Sequence, residues 1–242
     1  MIFIIICFWL IIWELTSFLM DNHLVLVGPI QTFTRLMYLS GTQAFWSSIF
    51  NSLVRVVYGF TLALFLGIVT AILSKYSKIF YMFVLPLFNV IKSIPVVSFV
   101  IIAIFWVGSV HLSIFISFIT VIPIIFFNTY KGLENTDKSL LDMAYVLDVP
   151  LFKKIRFIYF VQIMPYILSA IATGFGFAWK SGIAAELIGT SRDTIGFNLH
   201  MARVFLQTAD VFAWTVTIVL LCYIVEKGIS VVLVKNKIKE DI

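Results

Sequence analysis

The sequence predicts an all-α polytopic membrane protein with about six transmembrane helices, and three observations carry that reading. Hydrophobic residues make up 62% of the 242 and charged residues only 12%, about half the charge that a soluble domain carries; mean hydropathy is +1.08. The apolar residues gather into six runs, and a span needs roughly 20 residues to cross a hydrocarbon core of about 30 Å. Basic residues sit in alternate loops. Little chain remains for a soluble domain, so residues 1–242 read as one transmembrane domain.

The first run, residues 3–20, carries Glu14 and lacks both a basic leader and a small-residue cleavage site, so it reads as an uncleaved span rather than a signal peptide. Ahead of the second run, 57–73, the stretch 44–56 places Phe45, Ile49, Leu53 and Val56 on one helical face. It is expected to lie separately along the outer surface. The third run, 79–106, is too long for one simple helix and is interrupted by Lys92-Ser93-Ile94-Pro95. Pro95 has no amide to donate and crowds the preceding turn, which predicts a kink or break. Runs at 112–128, 165–187 and 211–234 complete the set.

Loop charges give a direction. With the N-terminus inside, the inner segments hold Lys75, Lys78, Lys131, Lys138, Lys153, Lys154, Arg156, Lys235, Lys237 and Lys239, and the outer ones Arg35, Arg192 and Arg203. Both termini are therefore expected on the cytoplasmic side. The net charge of +5 orients helices and is no nucleic-acid signal, because no basic block with interleaved aromatics occurs. Cys7 and Cys222 lie in separate apolar runs with no metal spacing, so no disulfide is expected. His23, His111 and His200 fall in different outer loops and suggest no metal site.

The longest inner segment, about 130–164, exceeds an ordinary helix connection and is expected to be functional. Leu140, Leu141, Ala144, Leu147 and Leu151 recur at helical spacing, with Asp137, Asp142 and Asp148 beside or opposite them. Pro150 marks a bend, after which Phe152, Ile155, Ile158 and Tyr159 resume the apolar pattern. Such a face can be covered by the chain's own helices or by a second subunit, and the pattern leaves both open.

Within the spans, Lys180, Glu186 and, at the break, Lys92 are the exceptional residues. A charge at bilayer depth costs at least about 2.5–3.5 kcal/mol, so it pairs, snorkels or faces water. The sharper reading makes Lys92, Ser93, Pro95, Trp179 and Lys180 a pathway that favours an anionic solute, with Glu186 holding a gate or a subunit contact. Gly174, Gly176, Ala170, Ala178, Ala184 and Ala185 form small-residue faces that permit close helix packing. Glu14 is expected at the outer interface or bonded to a neighbouring helix. Glu226 and Lys227 are expected to pair or snorkel near the inner end. The outer segment 188–210, with Arg192, Asp193, His200 and Arg203, remains a further candidate.

Asp142-Met143-Ala144 and then Asp148 stand at the places of an E-A-A, three residues, G loop pattern, and Pro165 at the place of a proline that ends such a loop. Further recognisable stretches are Phe45-Trp46, Asn51 to Val56 with Gly59-Phe60, Lys92-Ser93-Ile94-Pro95 and Phe105 to Gly108. The strongest runs from Gly174 to Lys180, then Ala184-Ala185-Glu186 and Ile195-Gly196. In these stretches the chain resembles the permeases of binding-protein-dependent ABC importers, nitrate/sulfonate/taurine branch, whose coupling loop carries that pattern.

The resemblance implies a type I importer permease fold in a bacterial inner membrane, used as a homodimer. Two cytoplasmic ATPase subunits and an extracytoplasmic solute-binding protein are the implied partners, with the lipid bilayer as solvent and no nucleic acid. It implies that Asp142, Ala144, Tyr145, Leu147, Asp148, Val149 and Pro150 form a coupling helix. The Gly-to-Asp change at 148 bears on its turn, since Gly takes φ > 0 more easily. No cofactor belongs to this chain: ATP and Mg sit on the partner, and no G-x-x-x-x-G-K-[ST] loop occurs here. Nitrate, sulfonates or taurine, or bicarbonate fit the implied solute, with an uncharged vitamin-precursor-like compound as the alternative. An intramembrane enzyme lacks its signature, neither H-E-x-x-H nor a His/Asp cluster occurring in the spans. A secondary carrier or scaffold is less favoured, no inverted repeat being found.

Overall fold

The computed structural model describes residues 2–20 and 25–240, with side chains for 4–20 and 25–228. His23 and the side chains of Lys235, Lys237 and Lys239 lie outside the described residues. The elements are α1 (Ile2–Met20), α2 (Pro29–Ser40), α3 (Gln43–Tyr76), α4 (Lys78–Ser93), α5 (Val96–Glu134), α6 (Lys138–Val146), α7 (Leu151–Lys154), a π-helical turn (Ile155–Tyr159), α8 (Phe160–Gly189), α9 (Ile195–Val204) and α10 (Thr208–Glu240). The stretches Gln43–Tyr76, Val96–Glu134, Leu151–Gly189 and Thr208–Gly228 are long and apolar enough to cross a membrane, and Ile4–Met20 is a shorter apolar helix. The run at 79–106 is divided between α4, whose 16 residues extend about 24 Å, and the start of α5.

Local chemistry explains the breaks. Ile94 is extended and Pro95 opens α5, the residue before a proline being biased toward extended backbone. A second break inside α5 has no counterpart in the sequence reading. Gly108 takes φ 71°, ψ 167° and kinks the helix, a conformation that an L side chain resists. Thr42, Ser77 and Thr194 cap α3, α4 and α9 by accepting from Phe45 N (3.3 Å), Phe80 N (3.2 Å) and Phe197 N (3.2 Å).

Two expectations change. Residues 44–56 are not a separate surface segment but the first turns of the continuous α3. No proline interrupts it, and its apolar face is covered by protein: Phe45 stacks at 4.9 Å on Trp214. The long connection at 130–164 is mostly helix as well. α5 continues to Glu134 and the next helical stretch starts at Leu151, so only α6 and its flanking turns join them. Pro165 is accommodated inside α8, after the π-helical turn has widened the ladder.

α3, α5 and α8 pack together at the centre; α10 and α9 lie on α8, α4 on α3 and α5, and α2 on α10. Glycines set the closeness of the central helices. A Cβ at Gly59 would fall on the carbonyl oxygen of Ile114, and one at Gly182 would stand 2.5 Å from Ser117 Oγ and 2.7 Å from Val56 Cγ2. Membrane helices rely on such small-residue approaches, since lipid offers no hydrophobic drive for them to associate. Phe8, Trp9, Phe18, Phe65, Phe83 and Phe105 are exposed and form part of the outward apolar surface. Both cysteines are free.

The N-terminal helices are tied on by polar contacts. Trp13 Nε1 donates to Val27 O at 3.0 Å, and Ser17 Oγ to Leu26 O at 3.1 Å. Glu14 accepts from Ile30 N at 3.4 Å, placing its charge at the amide-rich start of α2. Arg35 grips Asp210 with two nitrogens. This joins α2 to α10, and the carboxylate raises the guanidinium pKa.

Candidate functional site

Three places carry polar chemistry, one at each end of the bundle and one at mid-depth. At the first end, α6 is a short helix with a built start and a built stop. Asp137 Oδ1 accepts from Ser139 N at 2.8 Å and Ser139 Oγ at 2.5 Å, and these donors hold its carboxyl below the usual range. Gln162 Oε1 accepts from Asp137 N at 2.8 Å, and Asn135 Nδ2 donates to Tyr166 OH at 3.0 Å, so α8 fixes where α6 begins. The stop is a left-handed cap: Asp148 takes φ 47°, while Leu147 N and Val149 N donate to Met143 O and Ala144 O, each at 3.0 Å. Asp148 thus adopts the backbone conformation that a glycine would take there.

At its last turn α6 leaves large apolar side chains uncovered by the chain itself, although Leu141, on the predicted apolar stripe, is half-buried. Ala144 is buried, whereas Tyr145 is 76%, Val146 79% and Leu147 64% exposed, and Leu151 and Phe152 beyond the turn are exposed too. Asp142, Asp148 and Pro150 are also exposed, with Val149 half-buried. Of the seven residues expected to form the coupling helix, five are exposed and Val149 is half-buried, with Ala144 buried.

The second place is a polar stripe in the membrane zone. Ser169, Thr173, Phe177 and Lys180 are exposed along one face of α8. The hydroxyls of Thr120 and Ser181 meet at 2.9 Å, which sets Lys180 level with Thr120. At 1.5 Å per residue that level is about 16 Å from Ser109 and about 21 Å from Glu134 along α5, well inside the apolar length. Lys92, on the exposed side of α4, holds its ammonium 4.6 Å from the ring centre of Phe127. Ser93 and Pro95 are exposed beside it.

Trp179 and Glu186 face the other way. Trp179 is 1% exposed and donates to Ile218 O at 3.1 Å, which binds α8 to α10. Glu186 is fully buried and does not partner Lys180. Glu226 comes close to Lys180's face. Its Oε1 lies where a Gly176 Cβ would be, 2.5 Å away, and accepts from Cys222 Sγ at 3.4 Å. Side chains on a helix lean back over the preceding turn, so Lys180 and Glu226 share the surface around Gly176. Lys227 lies 5.6 Å from the ring centre of Tyr223.

The third place is the far end, where side-chain hydrogen bonds pin 190–198 to three helices, α3, α5 and α8. Asn51 Nδ2 donates to Asp193 O at 2.9 Å, Ser191 Oγ to Ser109 O at 2.5 Å, and Asn198 Nδ2 to Ser48 Oγ at 2.7 Å. Ser52 Oγ accepts from Ile195 N at 2.9 Å and donates to Glu186 Oε2 at 2.7 Å, which also accepts from Gly196 N at 3.3 Å. Thr190 and Asp193 both have left-handed backbones, at φ 48° and 58°. Sequence reasoning missed Ser48, Asn51 and Ser52; polar residues one turn apart in an apolar helix were the available signal. Among the described residues, no group of three His, Cys, Asp or Glu side chains could hold a metal ion.

Residues 59–235 match the family of inner membrane components of binding-protein-dependent transport systems. A putative aliphatic sulfonates transport permease protein of Bacillus subtilis is 30% identical over 67% of this chain and 59% of its own length. The taurine transport system permease protein of Escherichia coli is 23% identical over 90% of this chain and 81% of its own length. The bicarbonate transport system permease protein of Synechococcus elongatus is 29% identical over 78% of this chain and 71% of its own.

Proposed function

We propose that this chain, which belongs to the family of binding-protein-dependent transport system inner membrane components, is the permease subunit of an ATP-binding cassette importer for a small anionic solute. It works with a second copy of itself, with two ATPase subunits seated on α6, and with an external binding protein received at the α9 end. Hydrolysis of ATP belongs to the ATPase subunits. The α6 end, with both termini, is then cytoplasmic, as the basic inner loops favour.

The observation that carries this reading is the uncovered apolar end of α6. Tyr145, Val146, Leu147, Leu151 and Phe152 protrude from a helix whose start is pinned to α8. A force applied there by a partner is delivered to a helical stretch running from Leu151 to Gly189. Coupling needs a packed contact on a rigid element that biases two arrangements; α6 offers the element, and the ATPase subunit completes the contact.

The solute class rests on the stripe. Lys92 and Lys180 are exposed at membrane depth, where a cation must face water or protein rather than lipid. A second copy covering these residues would enclose them in a wet path, where two lysines against the one carboxylate of Glu226 leave an excess of positive charge, suited to a nitrate, a sulfonate such as taurine, or bicarbonate. Replacing residues 142–150 by a Gly/Ser stretch tests the coupling. The complex should lose its ATPase subunits and its ATP-driven uptake, and unchanged association and uptake would refute the assignment.

A further inference from the structure

A cavity of about 600 Å³ opens between α1, α2 and α10, within the range of about 300–1,000 Å³ that ligand pockets occupy. Its walls include Leu10, Ile11, Phe33, Leu36 and Val216, and Glu14 is the one ionisable group in its lining. Leu10, Ile11 and Phe33 are exposed, so the cavity is a groove open at the surface of apolar helices, where the surrounding medium is lipid. Trp13 rests against Phe212 with ring centres 5.7 Å apart, which sets Glu14 beside the start of the apolar run of α10, at the α9 end of the molecule. Leu10 and Val216 stand one turn deeper on their helices, about 6 Å further into the hydrocarbon. The groove thus has a charged rim and an apolar floor.

The rim is built to hold a carboxylate and leaves it short of partners. Gly28 makes the room, since a Cβ there would stand 2.6 Å from Glu14 Oε2. Glu14 accepts one long hydrogen bond, 3.4 Å from Ile30 N, and among the described residues it forms no ion pair. An ionised carboxylate offers about four acceptor positions, so most of its capacity is unused. A charge at the edge of the hydrocarbon needs a partner or water, and lipid headgroups are the cations that lie at that depth.

We propose that this groove is a site for one phospholipid with a primary-amine headgroup, phosphatidylethanolamine, taken from the leaflet at the α9 end. Its ammonium donates to Glu14, and one acyl chain runs down the groove past Leu10 and Val216. The chain supplies fit and little affinity, because it leaves one hydrocarbon surrounding for another; the headgroup does the selecting. A primary ammonium brings a positive charge and three N–H donors to the carboxylate. A choline headgroup has the charge without an N–H, and a glycerol headgroup has no cation to offset the phosphate. Trp13 and Ser17 tie α1 to the backbone at Val27 and Leu26, and the lipid fills the gap that these contacts leave between α1, α2 and α10. The site requires only that these helices span a membrane, and neither the solute nor the seat of the ATPase subunits enters it.

The test is native mass spectrometry of the intact complex, delipidated in detergent and offered equal amounts of phosphatidylethanolamine, phosphatidylcholine and phosphatidylglycerol with identical acyl chains. The parent should retain one phosphatidylethanolamine per copy of this chain, about fivefold or more over either competitor, as a charge-assisted contact implies. Glu14→Gln still accepts from Ile30 N but carries no charge, and it should bring the three lipids to within about twofold of one another. Glu14→Lys should turn the preference toward phosphatidylglycerol, a gain that misfolding cannot produce. Val216→Trp fills the floor and should lower retention of phosphatidylethanolamine about threefold or more by excluding the chain; it keeps the test open if the Glu14 variants fail to assemble. Equal retention of all three lipids by the parent, meaning annular lipid only, would overturn the site. So would the absence of retained lipid, the result if a second copy of the chain covers the groove, and so would a preference for phosphatidylethanolamine that Glu14→Gln leaves unchanged.

Discussion

Asp148 offers the sharpest physical test, because a residue with a Cβ holds the left-handed cap that ends α6. Left-handed backbone costs an L residue roughly 1–2 kcal/mol, less for Asp, whose short polar side chain tolerates it. Asp148→Val should add about 1–2 kcal/mol of local strain, since β-branching makes φ > 0 a true outlier. Asp148→Gly removes the strain but loosens the unfolded chain by about 0.4–1 kcal/mol, so it should be neutral to mildly stabilising. At about 1.4 kcal/mol per tenfold, the valine variant should open the cap roughly ten times more often. Hydrogen exchange of the Leu147 and Val149 amides, which donate to Met143 and Ala144, reads this in the assembled complex. The amides should exchange about tenfold faster with Val and no faster with Gly. Equal rates in all three would refute the cap, and faster exchange with Gly than with Val would refute the conformational argument.

Gly59→Ala sets a methyl on the Ile114 carbonyl oxygen, so overpacking of about 1–3 kcal/mol should outweigh a helix-propensity gain of about 1 kcal/mol. Thermal unfolding in detergent should show a loss there and none for Gly228→Ala, where nothing lies within 4 Å. Asp137 has a lowered carboxyl pKa, so its hold on α6 is fully present above the ordinary unfolded value and is lost as pH falls through the lower folded one. A spin label at the exposed Met143→Cys should keep one spectrum down to the usual carboxylate range and gain mobility only below it. Asp137→Asn should abolish that acid transition. Asp210→Asn breaks the grip of Arg35 on α10; with Arg35 partly exposed, the loss should be about 1 kcal/mol or less and shrink in high salt, measured as the difference in unfolding midpoint.

Much of the architecture was legible because lipid makes the rules strict. Six apolar runs became helices, and the third broke at Pro95, where a helix-breaking residue stood in a run too long for one span. The amphipathic face of 44–56 was read correctly as a face and wrongly as one resting on the membrane surface; periodicity shows that Phe45 and Ile49 need cover, not that Trp214 provides part of it. Gly108 gave no polar signal, so its kink was invisible. Asp148 could be placed at the cap but not assigned its backbone. The setting of Glu186 was beyond reach, since its donors Ser52 and Gly196 lie on separate elements. Lys180 and Lys92 stood out at once, as any charge in a run of apolar residues does.

The central claim is that α6 is the seat of the ATPase subunits, and a photocrosslinking residue reports on it most directly. With p-benzoylphenylalanine at position 145 of α6 in the intact complex, the account predicts a crosslink to the ATPase subunit. With the same residue at the exposed position 205, at the opposite end of α8, it predicts none. A crosslink to the ATPase from 205, or its absence from 145 in a complex that still hydrolyses ATP and transports, would contradict the account.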